Sequence, residues 1–289
     1  MASHSLSSLL LLSLLTSASA AGIATYWGQD GREGSLADAC NSGLYQYVNI
    51  AFLNVFGGDR VPQLNLAGHC NTDFGTCAVF SAEIRACQAR SIKVLLSLGG
   101  HLGDYSLSSP DDAARVAAYL WDNYLGGSSA ARPLGDAVLD GIDFDIETGA
   151  GQPWDALAQA LSRYSTAQRK VILSAAPQCP FPDANLGSAI GTGLFDYIWV
   201  QFYNNPQCDY SGGLDGVLNR WNQWAAVPGG QVFMGVPATA AAASSGNIPA
   251  EVMNSQLLPA IKNSGKYGGV MVWNKFFDTG FSAAILPNV

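Results

Sequence analysis

A chain of 289 residues has room for one large domain or two small ones. With 48% hydrophobic and 12% charged residues it can bury an extensive core. The formal net charge of -8, without any run of Lys or Arg, excludes nucleic acid and anionic membrane surfaces as main partners, since both demand clustered positive charge.

The first twenty residues differ from the rest. An apolar run from Leu9 to Leu15 precedes Thr16-Ser-Ala-Ser-Ala20, whose small residues at 18 and 20 suit signal peptidase. The run is too short to span a bilayer. Residues 1–20 are therefore expected to be a secretory signal cleaved near Ala20/Ala21, although their n-region lacks Lys and Arg. No later stretch has the length and apolarity of a transmembrane helix, and no ER-retention tail ends the chain.

Past residue 20, short β-rich apolar runs recur at 22–27, 47–53, 93–98, 139–147, 170–175, 197–203, 231–236 and 269–273. Segments with helical spacing lie between several of them, at 81–90, 110–125, 153–164, 213–224 and 249–264. Strands alternating with helices imply parallel pairing through crossovers. Eight such strands are the number of a (β/α)8 TIM barrel, whereas an open doubly wound sheet more often has five or six. No repeat, linker or low-complexity tract divides residues 21–289, so a single-domain α/β barrel is expected, with 238–245 an Ala-rich loop or helix start.

The fourth run is the most informative: Asp140-Gly-Ile-Asp143-Phe-Asp145-Ile-Glu147. In a strand, alternate residues share a side, so Asp143, Asp145 and Glu147 line one face and Ile142, Phe144 and Ile146 the other. A solvated amphipathic strand gives the same alternation, but the neighbouring runs read as buried. Inside a barrel the acidic face points inward and Glu147 lies nearest the C-terminal rim, where barrel active sites form. Burial and neighbouring negative charge both raise a carboxyl pKa, so Glu147 is a candidate general acid.

Six cysteines follow the leader, at 40, 70, 77, 87, 179 and 208. An even count behind a secretory signal reads as disulfides, with fifteen pairings open on counting alone. No Cys-x-x-Cys or His-x-x-x-His spacing occurs, and only His69 and His101 follow the leader, so no metal is expected.

The octapeptide Asp140-Gly-x-Asp143-x-Asp145-x-Glu147 resembles the signature of glycoside hydrolase family 18, and the chain is similar to its plant class III, hevamine-like chitinases over nearly its whole length after residue 20. Further stretches with the same likeness are Tyr26-Trp-Gly-Gln29, Val48-Asn-Ile-Ala-Phe52, Ser97-Leu-Gly-Gly100, Ala176-Pro-Gln-Cys-Pro-Phe-Pro182 and Trp199-Val-Gln-Phe-Tyr-Asn204. The resemblance implies an endochitinase that cleaves β-1,4 links between N-acetylglucosamine units without an enzymic nucleophile. The substrate's own 2-acetamido oxygen attacks the anomeric carbon, an exception to the two-carboxylate scheme.

In that scheme Glu147 matches the acid, then base; Asp145 matches the residue that orients the acetamido N–H; Asp143 matches an inner carboxylate that shares a proton with Asp145. Tyr203 matches the hydroxyl that fixes the acetamido oxygen, and Trp273 the indole that floors the cleavage subsite. Gln29, Asn65, Gln201 and Asn204 are candidate sugar contacts that could equally satisfy loop backbones. The resemblance also implies the pairs Cys40–Cys87, Cys70–Cys77 and Cys179–Cys208, pinning βα loops of which 54–87 is the longest.

One departure concerns His101, which stands where relatives commonly carry a third glycine; a bland loop histidine and a changed subsite or pH profile are both open readings. The implied partners are chitin and N-acetylglucosamine oligomers, acted on by a monomer without cofactor, with a lysozyme-like side activity left open. The implied setting is plant defence, outside the cell or in the vacuole. The competing class is a non-catalytic chitin-binding or glycosidase-inhibiting relative. Such relatives typically lack the terminal Glu or an aspartate, whereas Asp143, Asp145, Glu147 and Tyr203 are all present here.

Overall fold

The computed structural model describes residues 21–72 and 74–289, and the expected signal sequence at 1–20 lies outside the described residues. Eight parallel strands form a closed barrel: β1 (Gly22–Trp27), β2 (Tyr47–Phe56), β3 (Lys93–Gly99), β4 (Gly141–Asp145), β5 (Ile172–Ala175), β6 (Tyr197–Gln201), β7 (Gln231–Pro237) and β8 (Tyr267–Trp273). Each strand pairs with its sequence neighbours, and β1 closes the ring by pairing with both β2 and β8. Two short strands decorate the rim near β2, Gln63–Leu64 antiparallel to it and Asp104–Tyr105 parallel.

The barrel forms because alternate residues of its strands have different destinations. Val94, Leu96 and Leu98 of β3 and Ile142 and Phe144 of β4 face outward, into a large core shared with the helices. Tyr26, Tyr47, Trp199, Phe233 and Met271 point inward and pack on one another. Both sets are buried, so each strand has two apolar faces, the expectation for parallel strands covered by crossover helices. Burial of each large apolar side chain contributes about 1.5–3 kcal/mol.

Helices cover the barrel at Leu36–Asn41, Phe80–Ala89, Pro110–Tyr124, Trp154–Ser162, Gly187–Gly191 and Leu214–Trp224. The first and fifth have only six and five residues, too few for apolar periodicity to reveal, although Ser35 and Asp38 form a capping box on the first. Ser109 caps the third, with Pro110 at the first helical position, where a missing N–H costs nothing. The expected helix at 249–264 is instead interrupted: Ala250–Val252 leads through a π turn at Met253–Leu257 into Leu258–Ile261. Pro259 has no N–H to give the carbonyl of Ser255, and the Leu258 N–H bonds Met253 O one residue farther back than in an α-helix. The Ala-rich stretch holds a single 3-10 turn at Ala240–Ala242. Among the described residues no helix is long and apolar enough to cross a membrane.

Three disulfides are present: Cys40–Cys87, Cys70–Cys77 and Cys179–Cys208, the pairs that the resemblance implies. The first ties the helix after β1 to the helix after β2, and the last joins the segments that leave β5 and β6. With a sequence separation of 47, the Cys40–Cys87 bridge restricts the unfolded chain by about 4 kcal/mol on a loop-entropy estimate. Replacing both cysteines by Ser should lower the melting temperature by about 10 °C while leaving the far-ultraviolet circular dichroism unchanged, as a thermal scan would show.

Candidate active site

At the centre of the barrel lies Asp143, completely buried on β4. Strand register places Ser97 of β3 and Ser174 of β5 directly beside it. Ser97 Oγ and Tyr26 OH donate to Oδ2 at 2.6 and 2.9 Å, and Ser174 Oγ and Trp199 Nε1 donate to Oδ1 at 2.6 and 2.8 Å. Four donors occupy the four acceptor sites of one carboxylate. Burial pushes the Asp143 carboxyl up and outweighs the opposing pull of the hydrogen bonds from Ser174, Ser97, Trp199 and Tyr26, so it stays above its ordinary value. None of these donors is Asp145, so Asp143 is anchored downward and sideways to the barrel wall.

One inward position farther along, Asp145 is 3% exposed and its Oδ1 accepts from Gln201 Nε2 at 3.0 Å. The same Gln201 nitrogen donates to Ala176 O at 2.9 Å, which fixes the amide across β5 and β6. Burial first, then the negative charges of Glu147 and Asp143, raise the Asp145 carboxyl well above the usual carboxylate range. Its proton is retained where an ordinary aspartate would have lost it.

Glu147 sits two residues beyond β4, which ends at Asp145 and not, as its alternation suggested, at Glu147. Its backbone N–H donates to Tyr105 OH at 2.9 Å, and that hydroxyl donates to Gly100 O at 3.2 Å. The Glu147 side chain retains 18% exposure, so the three acids form a gradient from sealed to solvent-facing. Burial raises its carboxyl, the adjacent His101 lowers it, and Asp183 raises it again. Tyr203 likewise lies two residues past β6 and is 5% exposed, its hydroxyl kept protonated by burial and by the acids facing it.

The turn between β3 and this cluster has no space for side chains. Gly99 and Gly100 have φ of +105° and +79°; a Cβ on Gly99 would stand 2.3 Å from Asp145 O, and one on Gly100 would meet the Phe52 ring at 2.9 Å. Only glycine combines these dihedrals with such close approach.

Two adjoining cavities form the cleft. The larger, of about 500 Å³, is bounded by Asp145, Glu147, Gln201, Tyr203 and Asn204, with Gln178 and Ser244 at its side. The smaller, of about 240 Å³, is bounded by Gln29, Phe52, Asn54 and Asn65. Glu147, His101 and Trp273 line both and mark their junction. Trp273 packs against Tyr26 and Phe52 with centroid separations of 5.4 and 6.2 Å.

The remaining polar candidates have backbone duties as well. Gln29 Nε2 donates to Ala51 O at 2.6 Å, and Asn65 Oδ1 accepts from Ala67 N at 2.9 Å. Asn204, with φ of +57°, accepts at Oδ1 from both the backbone and hydroxyl of Ser244 at 2.7 and 2.8 Å. All the expected site residues except Asp143 thus line the cleft, and Asp143 lies beneath it. Sequence reasoning missed Tyr26, Ser97, Ser174 and Trp199 as partners of Asp143, and Tyr105 as the support of Glu147. Their inward periodicity was readable; which of them meet was a matter of register.

Residues 22–256 match the model of the glycosyl hydrolases family 18, and the chain belongs to that family. It is 63% identical over 287 residues to an acidic endochitinase of Cicer arietinum, covering 98% of this chain and 97% of that protein. A chitinase from Ipomoea carnea superposes with a TM-score of 0.90 at 50% identity, over 93% of this chain and all of the other. A xylanase and α-amylase inhibitor protein from Scadoxus multiflorus superposes with a TM-score of 0.87 at 44% identity, over 92% and 98%.

The raised Asp145 carboxyl has a consequence for stability. A carboxyl that binds its proton more tightly when folded favours the fold most below the unfolded pKa, and that contribution declines as pH rises. Asp145→Asn keeps an oxygen for Gln201 but carries no charge to repel its neighbours. The variant should be on the order of 1–2 kcal/mol more stable than the parent at pH 7 and about equal at pH 3, measured by urea unfolding.

Proposed function

We propose that the protein is an endochitinase that cleaves β-1,4 links of N-acetylglucosamine polymers with retention of configuration, using the substrate's acetamido group as nucleophile. The observation that carries this reading is the state of the two acids in the cleft. Asp145 is nearly buried at the cleft wall, held by Gln201 and biased toward its neutral form, and a neutral carboxyl is a poor nucleophile. Glu147 borders both cavities and is also biased toward its protonated form, which suits a donor to a leaving group.

With a sugar in the larger cavity, Asp145 and Tyr203 flank the space its acetamido group would take. The acetamido oxygen bonds to the anomeric carbon as the glycosidic C–O bond breaks, and Glu147 delivers its proton to the departing oxygen. The resulting oxazolinium ion is positively charged, and the carboxylate that Glu147 becomes on giving up its proton balances that charge. Glu147, now a carboxylate, takes a proton from water; the water oxygen bonds to the anomeric carbon and the acetamido group is restored. Two inversions give net retention. Trp273 provides an apolar wall at the junction, suited to a sugar face.

The Scadoxus relative shows that this framework also accompanies inhibitor proteins. A purely binding role would have no evident use for Asp145, Glu147 and Tyr203 together at the cleft, and the high identity to an acidic endochitinase favours the enzyme. Residues 1–20 as a cleaved signal, release from the cell or delivery to the vacuole, and a monomeric state complete the proposal. The three disulfides support an oxidising compartment.

Glu147→Gln should lower turnover of N-acetylglucosamine hexamer by about 100- to 10,000-fold with unchanged circular dichroism; undiminished turnover would remove Glu147 from the acid's role. Proton NMR of the first products should show the β-anomer, and initial α-anomer would exclude retention. Because Glu147 must hold its proton, kcat/KM should fall as pH rises through its titration, which burial moves above that of an ordinary glutamate.

A further inference from the structure

His101 occupies the one place where both cavities meet, and its Nδ1 lies 3.4 Å from Glu147 Oε2. The pairing is built into the backbone. Gly103 N donates to Gly100 O at 3.3 Å, closing a turn with His101 and Leu102 at its tip, and Gly100 N donates to Asp145 O at 2.8 Å. Tyr105 OH then bridges Gly100 O and Glu147 N, so a single hydroxyl ties the residue before His101 to the backbone of Glu147. Both side chains start from positions fixed relative to each other.

The two partners differ in access: the His101 side chain is 81% exposed and that of Glu147 18%. Glu147 also faces Asp145 from its own strand, Asp183 from the segment after β5, Tyr105 from the loop after β3, and Tyr203 from beyond β6. Two of these are acids and two are neutral phenols. Among the described residues, His101 is the only basic side chain in ion-pair range of Glu147.

We infer that His101 is a positioning residue for Glu147, a solvent-facing imidazole that stands against the Glu147 carboxyl at the cleft junction and adjusts how readily that acid gives up its proton. This deepens the proposed reaction and rests on it. A positive charge beside Glu147 favours its carboxylate and withholds the acid; without one, burial and Asp183 hold the proton in place. Removing the imidazole should therefore extend activity to higher pH, and a permanent cation in its place should curtail it.

The test compares the parent with His101→Asn and His101→Lys in kcat/KM profiles from pH 3 to 9 on N-acetylglucosamine hexamer. The side-chain carboxyl of Glu147 is titrated in parallel by carbon-13 NMR with labelled glutamate, which reports only Glu33, Glu83, Glu147 and Glu251. The alkaline limb and the Glu147 titration should both move up by about half a pH unit in His101→Asn and down by a similar amount in His101→Lys, a partly exposed pair giving less than the full effect of a buried one. If the limb and the titration stay in place in both variants, or if only KM changes, His101 is a sugar contact or a steric lip and the inference fails. Loss of the proposed reaction is read separately: full turnover by Glu147→Gln would defeat the acid's assignment, while the NMR titration would still decide whether His101 governs the Glu147 charge.

Discussion

A single buried carboxylate organises this molecule. Asp143 has no contact with solvent, and an isolated carboxylate in that position would be costly without partners. Its partners come from four different strands: Tyr26 from β1, Ser97 from β3, Ser174 from β5 and Trp199 from β6. The donors can converge only if the ring is closed and each strand is in register. The polar centre and the apolar interior around it are therefore satisfied by the same geometry, and removing one donor would leave a buried carboxyl oxygen short of a partner.

From that anchor the chemistry is graded along one strand. Each inward step of β4 and its extension moves a carboxyl closer to solvent, from Asp143 to Asp145 to Glu147. Four donors hold Asp143 in place, and its negative charge is one of the causes that raise the Asp145 carboxyl. In the proposed reaction Glu147, at the rim, exchanges protons with leaving group and water, while Asp145 stays beneath it against Gln201. The three acids thus differ in access: Asp143 is enclosed, Asp145 is 3% exposed, and the Glu147 side chain is 18% exposed. The fold tolerates the repulsion among them because extensive burial elsewhere outweighs it.

The rim elements act on the same acid through backbone positions. Gly99 and Gly100 let the turn after β3 touch the backbone of β4, and Tyr105 returns from the short rim strand to support Glu147. The hairpin at Gln63–Leu64 brings Asn65 beside Phe52, with hydrogen bonds in both directions at 2.8 and 2.9 Å, and so shapes the smaller cavity. Asn204 and Ser244 hold the opposite lip. Side chains that resemble sugar contacts in the sequence are, in several cases, also the fasteners of the loops that create the cleft.

Much of the architecture was written locally. The apolar runs with intervening helical periods specified eight strands and a barrel, since those patterns depend only on the destination of alternate side chains. The spacing of Asp143, Asp145 and Glu147 placed three acids on one face for the same reason. Strand ends were less legible: Glu147 and Tyr203 continue the alternation of β4 and β6 although ladder pairing has already stopped, because hydrogen bonding to a neighbouring strand is not a property of one segment. The π turn before Pro259 and the helix at Gly187–Gly191 were hidden, the first by an otherwise regular apolar pattern and the second by its brevity. Tertiary structure alone decided that Tyr26, Ser97, Ser174 and Trp199 meet at Asp143 and that His101 reaches Glu147. Those contacts join residues 31 to 117 positions apart, or 46 apart in the case of His101 and Glu147. Local sequence determines which way a side chain faces, whereas only barrel closure and strand register determine what it faces.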